Sequence, residues 1–126
     1  HERNAIDTMI DVVGVCWGFD YLHIDRFIAS ALQIGSGSIN YRFGKLSIPA
    51  PATQQLIKQL PTYQTSIEGE LVTPTGAAII KTFVKNFSNQ PRMNLTHVGY
   101  GAPIKNMHYP GWIKIMIGSE RYESEE

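Results

Sequence analysis

The sequence predicts an α+β fold, a mixed layer fold in which about three helices pack on a β-sheet. Two observations lead to this class. Three segments show the apolar spacing and the end signals of helices, and the segments between and after them alternate apolar with polar residues before a Gly or a Pro. The resulting order along the chain is roughly α-β-β-β-α-β-α-β-β.

Composition and charge limit the class of protein and its partners. Of the 126 residues, 43% are hydrophobic, which is ordinary for a globular domain with a core. Eleven basic residues balance eleven acidic ones. We therefore expect no nucleic-acid partner, because nucleic-acid binders usually carry a basic excess. No apolar run reaches the roughly 18 residues of a membrane-spanning helix, so we also expect no membrane partner.

The chain is interpreted as one α+β domain, residues 1–118, followed by a charged C-terminal tail, residues 119–126. Because the first residue is His rather than Met, we expect the chain to be a fragment of a longer protein. The single cysteine, Cys16, excludes an internal disulfide and fits a reducing compartment. We therefore expect a cytoplasmic location.

The first helix, predicted over residues 5–22, carries apolar residues around most of its circumference, so we expect it to be buried on most sides. Cys16 is expected to pack on a buried face. The remaining stripe holds Asp7, Asp11, Gly14 and Gly18, whose spacing of four, three and four places them on one face.

Asp7 and Asp11 lie one helical turn apart, and two interpretations of them are open. In the first, a divalent cation holds the two carboxylates, because a buried aspartate costs on the order of a few kcal/mol unless it is paired or bound to a cation. Nickel, manganese and magnesium all accept carboxylate, and His1 suits a nitrogen-preferring metal. In the second, the first turn of the helix lies at the surface and the helix dipole favours Asp7.

The middle of the chain predicts strands and a short helix. Residues 26–34 are predicted to form a strand, and residues 35–38 are predicted to form a turn. A hairpin follows, with its turn at Phe43 and Gly44. Pro51 begins a helix that runs to residue 60, where Pro61 stops it.

A third helix start, Thr-Pro-Thr-Gly at residues 73–76, follows an extended segment over residues 64–71. Thr is a good N-cap and Pro a good first helical residue, so a helix is predicted to run to about residue 87. Free N–H groups at such a start attract phosphate, although a plain capped helix explains the same residues. Two further strands are predicted near residues 93–100 and 112–117.

Four blocks of the sequence together resemble the LarC family of nickel-insertion proteins. HERNAIDTMIDVVG is similar to that family's His-Glu-x-x-Ala-x-Asp-x-x-x-Asp segment, and GSGSINYRFGKLSIPAPAT is similar to the block that ends in Pro-Ala-Pro-Ala-Thr. EGELVTPTGAAIIK and VGYGAP resemble a third and a fourth block. The order and spacing of the blocks agree from residue 1 to about residue 118.

The resemblance implies a nickel chelatase, or cyclometallase, of the lyase class. Such an enzyme inserts Ni²⁺ into a pyridinium bis-thiocarboxylic acid mononucleotide during biosynthesis of the nickel-pincer cofactor of lactate racemase. In the family the reaction depends on CTP, with Mn²⁺ or Mg²⁺ beside it, and CTP handling is associated with the C-terminal part of longer members. The implied partners are the mononucleotide, the remaining segments of the full-length protein and a second copy in a homo-oligomer.

The resemblance also implies a set of metal and catalytic residues. His1, Glu2, Asp7 and Asp11 match the family's first acidic block and are the expected metal ligands. Glu2 and Asp7 are the expected catalytic residues within that set. Whether this chain catalyses the step by itself is left open.

The third block implies where the substrate phosphate binds. Thr73, Thr75 and Gly76 match the helix-start residues of that block and are the expected phosphate-binding residues. Glu68 and Glu70 match the acids that precede it. Acids beside an anion site make sense when a metal bridges them to the phosphate.

The chain departs from the usual family residues at several positions. Family members usually carry Val-Gly where Arg3 and Asn4 occur, His where Phe43 occurs, and Arg where Lys114 occurs. Residues 103–106 read Pro-Ile-Lys-Asn in place of Gly-Thr-Arg-Asp. Lysine does not reproduce the bidentate grip of Arg on a phosphate or carboxylate. The alternative function is therefore a non-catalytic module that delivers metal or scaffolds an oligomer.

Overall fold

The computed structural model describes residues 2–102 and 113–120, with side chains described from residue 5 onward. Three helices and eight strands lie in these residues, which confirms the α+β class. The helices are α1 (Glu2–Tyr21), α2 (Pro51–Leu56) and α3 (Pro74–Phe83). The strands are β1 (Ile28–Ala29), β2 (Leu32–Ser36), β3 (Ser38–Tyr41), β4 (Gly44–Ser47), β5 (Thr62–Glu68), β6 (Asn86–Phe87), β7 (Asn94–Gly101) and β8 (Ile113–Ser119).

The strands pair two by two in the described part of the chain. β1 pairs with β6 and β2 with β5, both in parallel, whereas β3–β4 and β7–β8 are antiparallel. Contacts divide the chain into two compact units, residues 1–89 and residues 90–126. The first unit contains the helices and β1 to β6, and the second contains the β7–β8 pair. The boundary at residue 118 stays a prediction. Pro103, Asn106 and the tail from residue 121 lie outside the described residues.

Two predicted elements in the first half have different boundaries. The strand expected over residues 26–34 is two strands, because β1 pairs with β6 and β2 pairs with β5. The turn expected over residues 35–38 is confined to Gly37, whose φ of +96° suits glycine. Gly35 and Ser36 continue β2 instead.

The last two helices are both shorter than the sequence predicts. α2 ends at Leu56, and Gln59, at a φ of +70°, already lies in the left-handed region. α3 ends at Phe83, because Val84 is extended and β6 then pairs with β1. Strand pairing overrides the apolar spacing that predicted a helix to residue 87.

The expectation that α1 is buried on most sides is wrong. The side that carries Val12, Val15 and Phe19 is half-buried, whereas Trp17 on the opposite side is 65% exposed. Cys16, expected on a buried face, is also exposed. None of the helices in the described residues is both long and apolar enough to cross a membrane.

Three aromatic rings hold α1 to the rest of the first unit. Phe19 of α1 lies against Phe27, which precedes β1, with ring centroids 4.6 Å apart. Both rings contact Phe83 at the end of α3, at 5.0 Å and 5.2 Å. Tilted and edge-to-face ring pairs of this kind each stabilise by about 0.5–1.5 kcal/mol beyond the area that they bury. The contact therefore fixes the C-terminal end of α1.

The buried residues of the first unit lie around α2 and α3. Ala77 of α3 and Thr53 of α2 have no exposed surface, and Ile57 follows α2 directly. The Thr53 hydroxyl has no hydrogen-bond partner among the described residues. A hydroxyl that is buried without a partner costs roughly 1–3 kcal/mol.

The close contact between β2 and the segment that follows β5 depends on Gly35. A Cβ atom on Gly35 would lie 1.6 Å from the carbonyl oxygen of Gly69, a backbone atom. Gly69 has a φ of +119°, and its N–H donates to the Ser36 carbonyl at 3.0 Å. The parallel pair also shifts register between Ile34 and Ser36. The two backbones can approach this closely only because residue 35 has no side chain.

We predict that Gly35→Ala lowers the free energy of unfolding by at least about 2 kcal/mol, because the added methyl group forces β2 away from Gly69. The measurement is urea unfolding followed by circular dichroism. Gly18→Ala is the matched control, since a Cβ there meets nothing within 4 Å. It should raise stability by roughly 0.5–1 kcal/mol. Equal stability of Gly35→Ala and the parent would contradict the close approach.

We predict that Thr53→Val raises the free energy of unfolding by about 1 kcal/mol, because valine keeps the shape and removes the unpaired hydroxyl. Thr82→Val serves as the control. Its hydroxyl is exposed and already donates to the Ala78 carbonyl at 2.7 Å, so the change should stay within about 0.5 kcal/mol. A loss of stability in Thr53→Val would mean that the hydroxyl has a partner in the folded protein.

Candidate metal and phosphate sites

The two predicted metal-binding aspartates lie on the exposed surface of α1. Asp7 and Asp11 are four residues apart, so both project from the same face of the helix. Carboxylates in water need no partner, so exposure removes the desolvation argument for a bound cation. Their positions match the second interpretation given above, in which the beginning of the helix is at the surface.

The full predicted ligand set includes residues that the structure does not describe. His1 lies outside the described residues, and the Glu2 side chain is likewise not described. Within the described residues, no group of three or more His, Cys, Asp or Glu side chains lies close enough together to hold a metal ion. The site of His1, Glu2, Asp7 and Asp11 therefore stays a prediction that depends on the family resemblance.

The predicted phosphate site lies at a well-formed helix start. The Thr73 hydroxyl accepts a hydrogen bond from the Gly76 N–H at 3.2 Å, and the Thr73 carbonyl accepts one from the Ala77 N–H at 2.9 Å. Pro74 occupies the first helical position, where its missing N–H costs nothing. Thr75 is the second helical residue, and its N–H has no acceptor within the helix. The Thr75 N–H and hydroxyl are the donors that this turn offers to an anion.

The two acids that precede this helix differ in exposure. Glu68 ends β5, is exposed, and lies opposite Ser36 in the parallel pair. Glu70 is half-buried in the segment that leads to α3. The Ser36 hydroxyl donates to the Ile67 carbonyl at 2.8 Å, which holds the end of β5 against β2. The strand pair thus fixes the backbone next to both acids.

The aromatic contact between α1 and α3 joins helix ends that lie away from both predicted sites. Phe83 is at the C-terminal end of α3, whereas Thr73 caps its N-terminus, roughly 15 Å away at the usual helical rise. Phe19 lies eight residues beyond Asp11, or roughly 12 Å along α1. The cluster therefore joins α1 and α3 at the ends opposite those that carry the predicted sites.

Sequence reasoning missed two features of the first unit. The aromatic cluster brings residues far apart in sequence together, and no local pattern marks it. The buried Thr53 is the last residue of the Pro-Ala-Pro-Ala-Thr stretch, and α2 packs against α3. The resemblance of that stretch to a family block was the one signal that could have drawn attention to Thr53.

Comparison with known proteins identifies relatives over almost the whole chain. Residues 1–126 match the family model described as nickel insertion protein. A relative from Synechococcus elongatus that is named for nickel insertion is 43% identical over 121 residues, which are 94% of this chain and 30% of the relative. A relative from Desulfitobacterium hafniense, named pyridinium-3,5-bisthiocarboxylic acid mononucleotide nickel insertion protein, is 39% identical over 118 residues, 94% of this chain and 29% of the relative.

No solved structure matches the chain. The chain spans about 30% of the length of the curated relatives it matches. The match to the family model covers every residue, and therefore all four blocks that the sequence analysis singled out. The chain belongs to the nickel insertion protein family.

Proposed function

We propose that this chain is the part of a nickel insertion protein that binds Ni²⁺ as a substrate together with a pyridinium bis-thiocarboxylic acid mononucleotide. The observation that carries the proposal is the family match over residues 1–126. The name of the Desulfitobacterium hafniense relative supports the choice of the mononucleotide as the second substrate. The product is the nickel-pincer cofactor used in lactate racemization.

In this proposal the metal-binding residues are His1, Glu2, Asp7 and Asp11. Two carboxylates on one exposed helix face can take a hydrated ion directly from solvent, and an imidazole nitrogen adds affinity for nickel. These ligands bind metal only when they are deprotonated, so metal uptake releases protons. Glu2 and Asp7 are the residues proposed to act next to the reacting atoms.

The mononucleotide phosphate is proposed to bind at the start of α3. Thr75 supplies a backbone N–H and a hydroxyl, and Gly76 leaves room for close approach because it has no side chain. The helix dipole favours the negative charge there. Glu68 and Glu70 precede this turn and are proposed to contact a metal ion that bridges to the phosphate.

The CTP-dependent part of the reaction is proposed to lie outside this chain. The family resemblance associates CTP, with Mn²⁺ or Mg²⁺, with the C-terminal part of longer members, and this chain spans about 30% of its relatives. The proposed partners are therefore the remaining segments of a full-length protein. We place the whole reaction in the lyase class and in the cytoplasm, where a single unpaired cysteine is compatible with reducing conditions.

A second candidate function is a non-catalytic module that delivers nickel or scaffolds an oligomer. The exposure of Asp7 and Asp11 favours it, because an exposed pair can exchange a metal ion with a partner more easily than a closed site. Calorimetric titration separates the two functions. Nickel binding that tightens when the mononucleotide is present supports insertion, and nickel binding without mononucleotide binding supports delivery. Binding of neither excludes both metal-dependent functions.

We predict that Asp7→Asn and Asp11→Asn each lower the affinity for Ni²⁺ at least about tenfold, because each removes a charged ligand while keeping the shape of the side chain. Isothermal titration with NiCl₂ measures the change. Asp25→Asn, which alters another exposed acid outside the predicted set, is the control and should leave the affinity unchanged. Equal affinity in all three variants would refute the assignment of the aspartates as ligands.

We predict that Thr75→Val lowers the affinity for a pyridinium mononucleotide about tenfold, because a hydrogen bond to a charged phosphate is worth roughly 1.5–3 kcal/mol. The matched control is Thr82→Val, on an exposed face later in α3. Affinity for the corresponding nucleoside, which has no phosphate, should not change in either variant. A loss that is equal for the nucleotide and the nucleoside would place the phosphate elsewhere.

A further inference from the structure

The formal charge of zero hides two segments of opposite sign. Residues 1–25 carry five acids and one base, whereas residues 26–67 carry four bases and no acid. The rest of the chain carries six of each. A local excess of one sign attracts ligands of the opposite sign, and the attraction reaches about 8–10 Å at physiological salt. Residues 26–67 are therefore the part of the chain that is suited to an anionic ligand.

Two of these four bases belong to the β3–β4 hairpin. Arg42 lies in the turn and Lys45 lies in β4, and both are exposed. The hairpin contains no acid that could neutralise them. A guanidinium group in this position offers a planar fork of N–H donors, which pairs with both oxygens of a carboxylate.

The same hairpin exposes two aromatic rings. Tyr41 is 60% exposed, and Phe43, at 89%, is the most exposed large hydrophobic residue in the described part of the chain. Tyr41 pairs with Gly44, and a Cβ on Gly44 would meet nothing within 4 Å, so the position across the strand from Tyr41 is open. Exposed rings of this kind stack on planar ligands. Rings next to a guanidinium group fit a planar ring that carries an acid group.

We propose that the β3–β4 hairpin binds the acid-bearing ring of the mononucleotide, with Arg42 on an acid group and Phe43 against the face of the ring. This inference rests on the proposed function, which supplies a pyridinium ring with two thiocarboxylic acid groups as the substrate. An ionised acid group of this type is planar and matches the guanidinium fork. The positive charge of a pyridinium ring is attracted to the face of an aromatic side chain. Lys45, whose register places it on the hairpin face opposite Tyr41, adds positive charge to the surroundings.

The base of the hairpin lies beside the segment that leads to the proposed phosphate site. The Ile48 N–H donates to the Gly37 carbonyl at 3.0 Å and closes the hairpin. The preceding residue, Ser36, accepts a hydrogen bond from the Gly69 N–H at 3.0 Å. Gly69 is four residues before Thr73, which caps α3. The hairpin thus begins next to the backbone that continues into the proposed phosphate-binding turn.

Isothermal titration of the 126-residue chain with two commercial probes tests the role of Arg42. Nicotinic acid mononucleotide carries a carboxylate on its pyridinium ring, and nicotinamide mononucleotide carries a neutral amide at the same position. We expect the chain to bind the acid probe about tenfold more tightly, because a hydrogen bond to a charged group is stronger than one to a neutral group. Arg42→Gln should remove this preference by weakening the binding of the acid probe alone. Lys58→Gln is the matched control, since it removes another exposed base of the same segment outside the hairpin, and it should keep the preference.

The same titrations test the role of Phe43. Phe43→Ala should weaken the binding of both probes at least about fivefold and by the same factor, because stacking on a ring does not depend on the acid group. Phe43→Tyr keeps an aromatic ring and should restore the affinity. These side chains are exposed, so every variant should keep the circular dichroism spectrum of the parent.

Each remaining outcome identifies which proposal fails. Equal binding of the two probes by the parent, or a preference that survives in Arg42→Gln, would overturn the assignment of Arg42 and leave mononucleotide binding in place. A preference that disappears in Lys58→Gln as well would mean that the charge of the whole segment, and not the hairpin, selects the anion. A parent that binds neither probe would reject the proposed mononucleotide binding together with this inference.

Discussion

The contact among Phe19, Phe27 and Phe83 is the interaction on which the arrangement of the first unit depends. It joins the end of α1, the segment before β1 and the end of α3 at one point. β1 and β6 then pair directly beside it, because Phe27 precedes one strand and Phe83 comes shortly before the other. Three elements far apart in sequence are thereby held by rings that gain both buried area and favourable edge-to-face geometry.

This contact also decides which surfaces are available for binding. It holds α1 at its C-terminal end, and the aspartates and the apolar side chains Ile10, Val13 and Trp17 of α1 are exposed. α3 is held at both ends, by the Thr73 cap and by Phe83, and the proposed phosphate donors lie in its first turn. The candidate sites thus combine an accessible pair of carboxylates with a preorganised helix start, and both lie in a chain that belongs to the nickel insertion protein family.

Features that depend on neighbours in sequence were predictable. The helix cap at Thr73 was predicted because a threonine that is followed by proline is a common start of a helix. It forms as expected, since the Thr73 hydroxyl accepts a hydrogen bond from the N–H of Gly76, three residues further on. The existence of α1 and of a hairpin after Tyr41 was also predicted, because their signals lie within a few residues. The hairpin turn is formed by Arg42 and Phe43 rather than by Phe43 and Gly44, because Gly44 already pairs with Tyr41 as the first residue of β4. The close approach of Gly35 to Gly69 was not predictable, since it joins segments more than thirty residues apart. These local signals do not decide whether Asp7 and Asp11 bind a metal ion.

By itself the sequence determined the family, the fold class and the local hydrogen bonds at helix and hairpin ends, because each is encoded by residues close together or by blocks in a fixed order. Only the tertiary structure decided that α3 ends at Phe83 and that the following strand β6 pairs in parallel with β1. It also decided that α1 is covered on one side only. The physical reason is that an apolar pattern records which side chains favour burial and not which partner covers them. That choice depends on contacts such as the Phe19–Phe83 pair, which form only when the chain has folded.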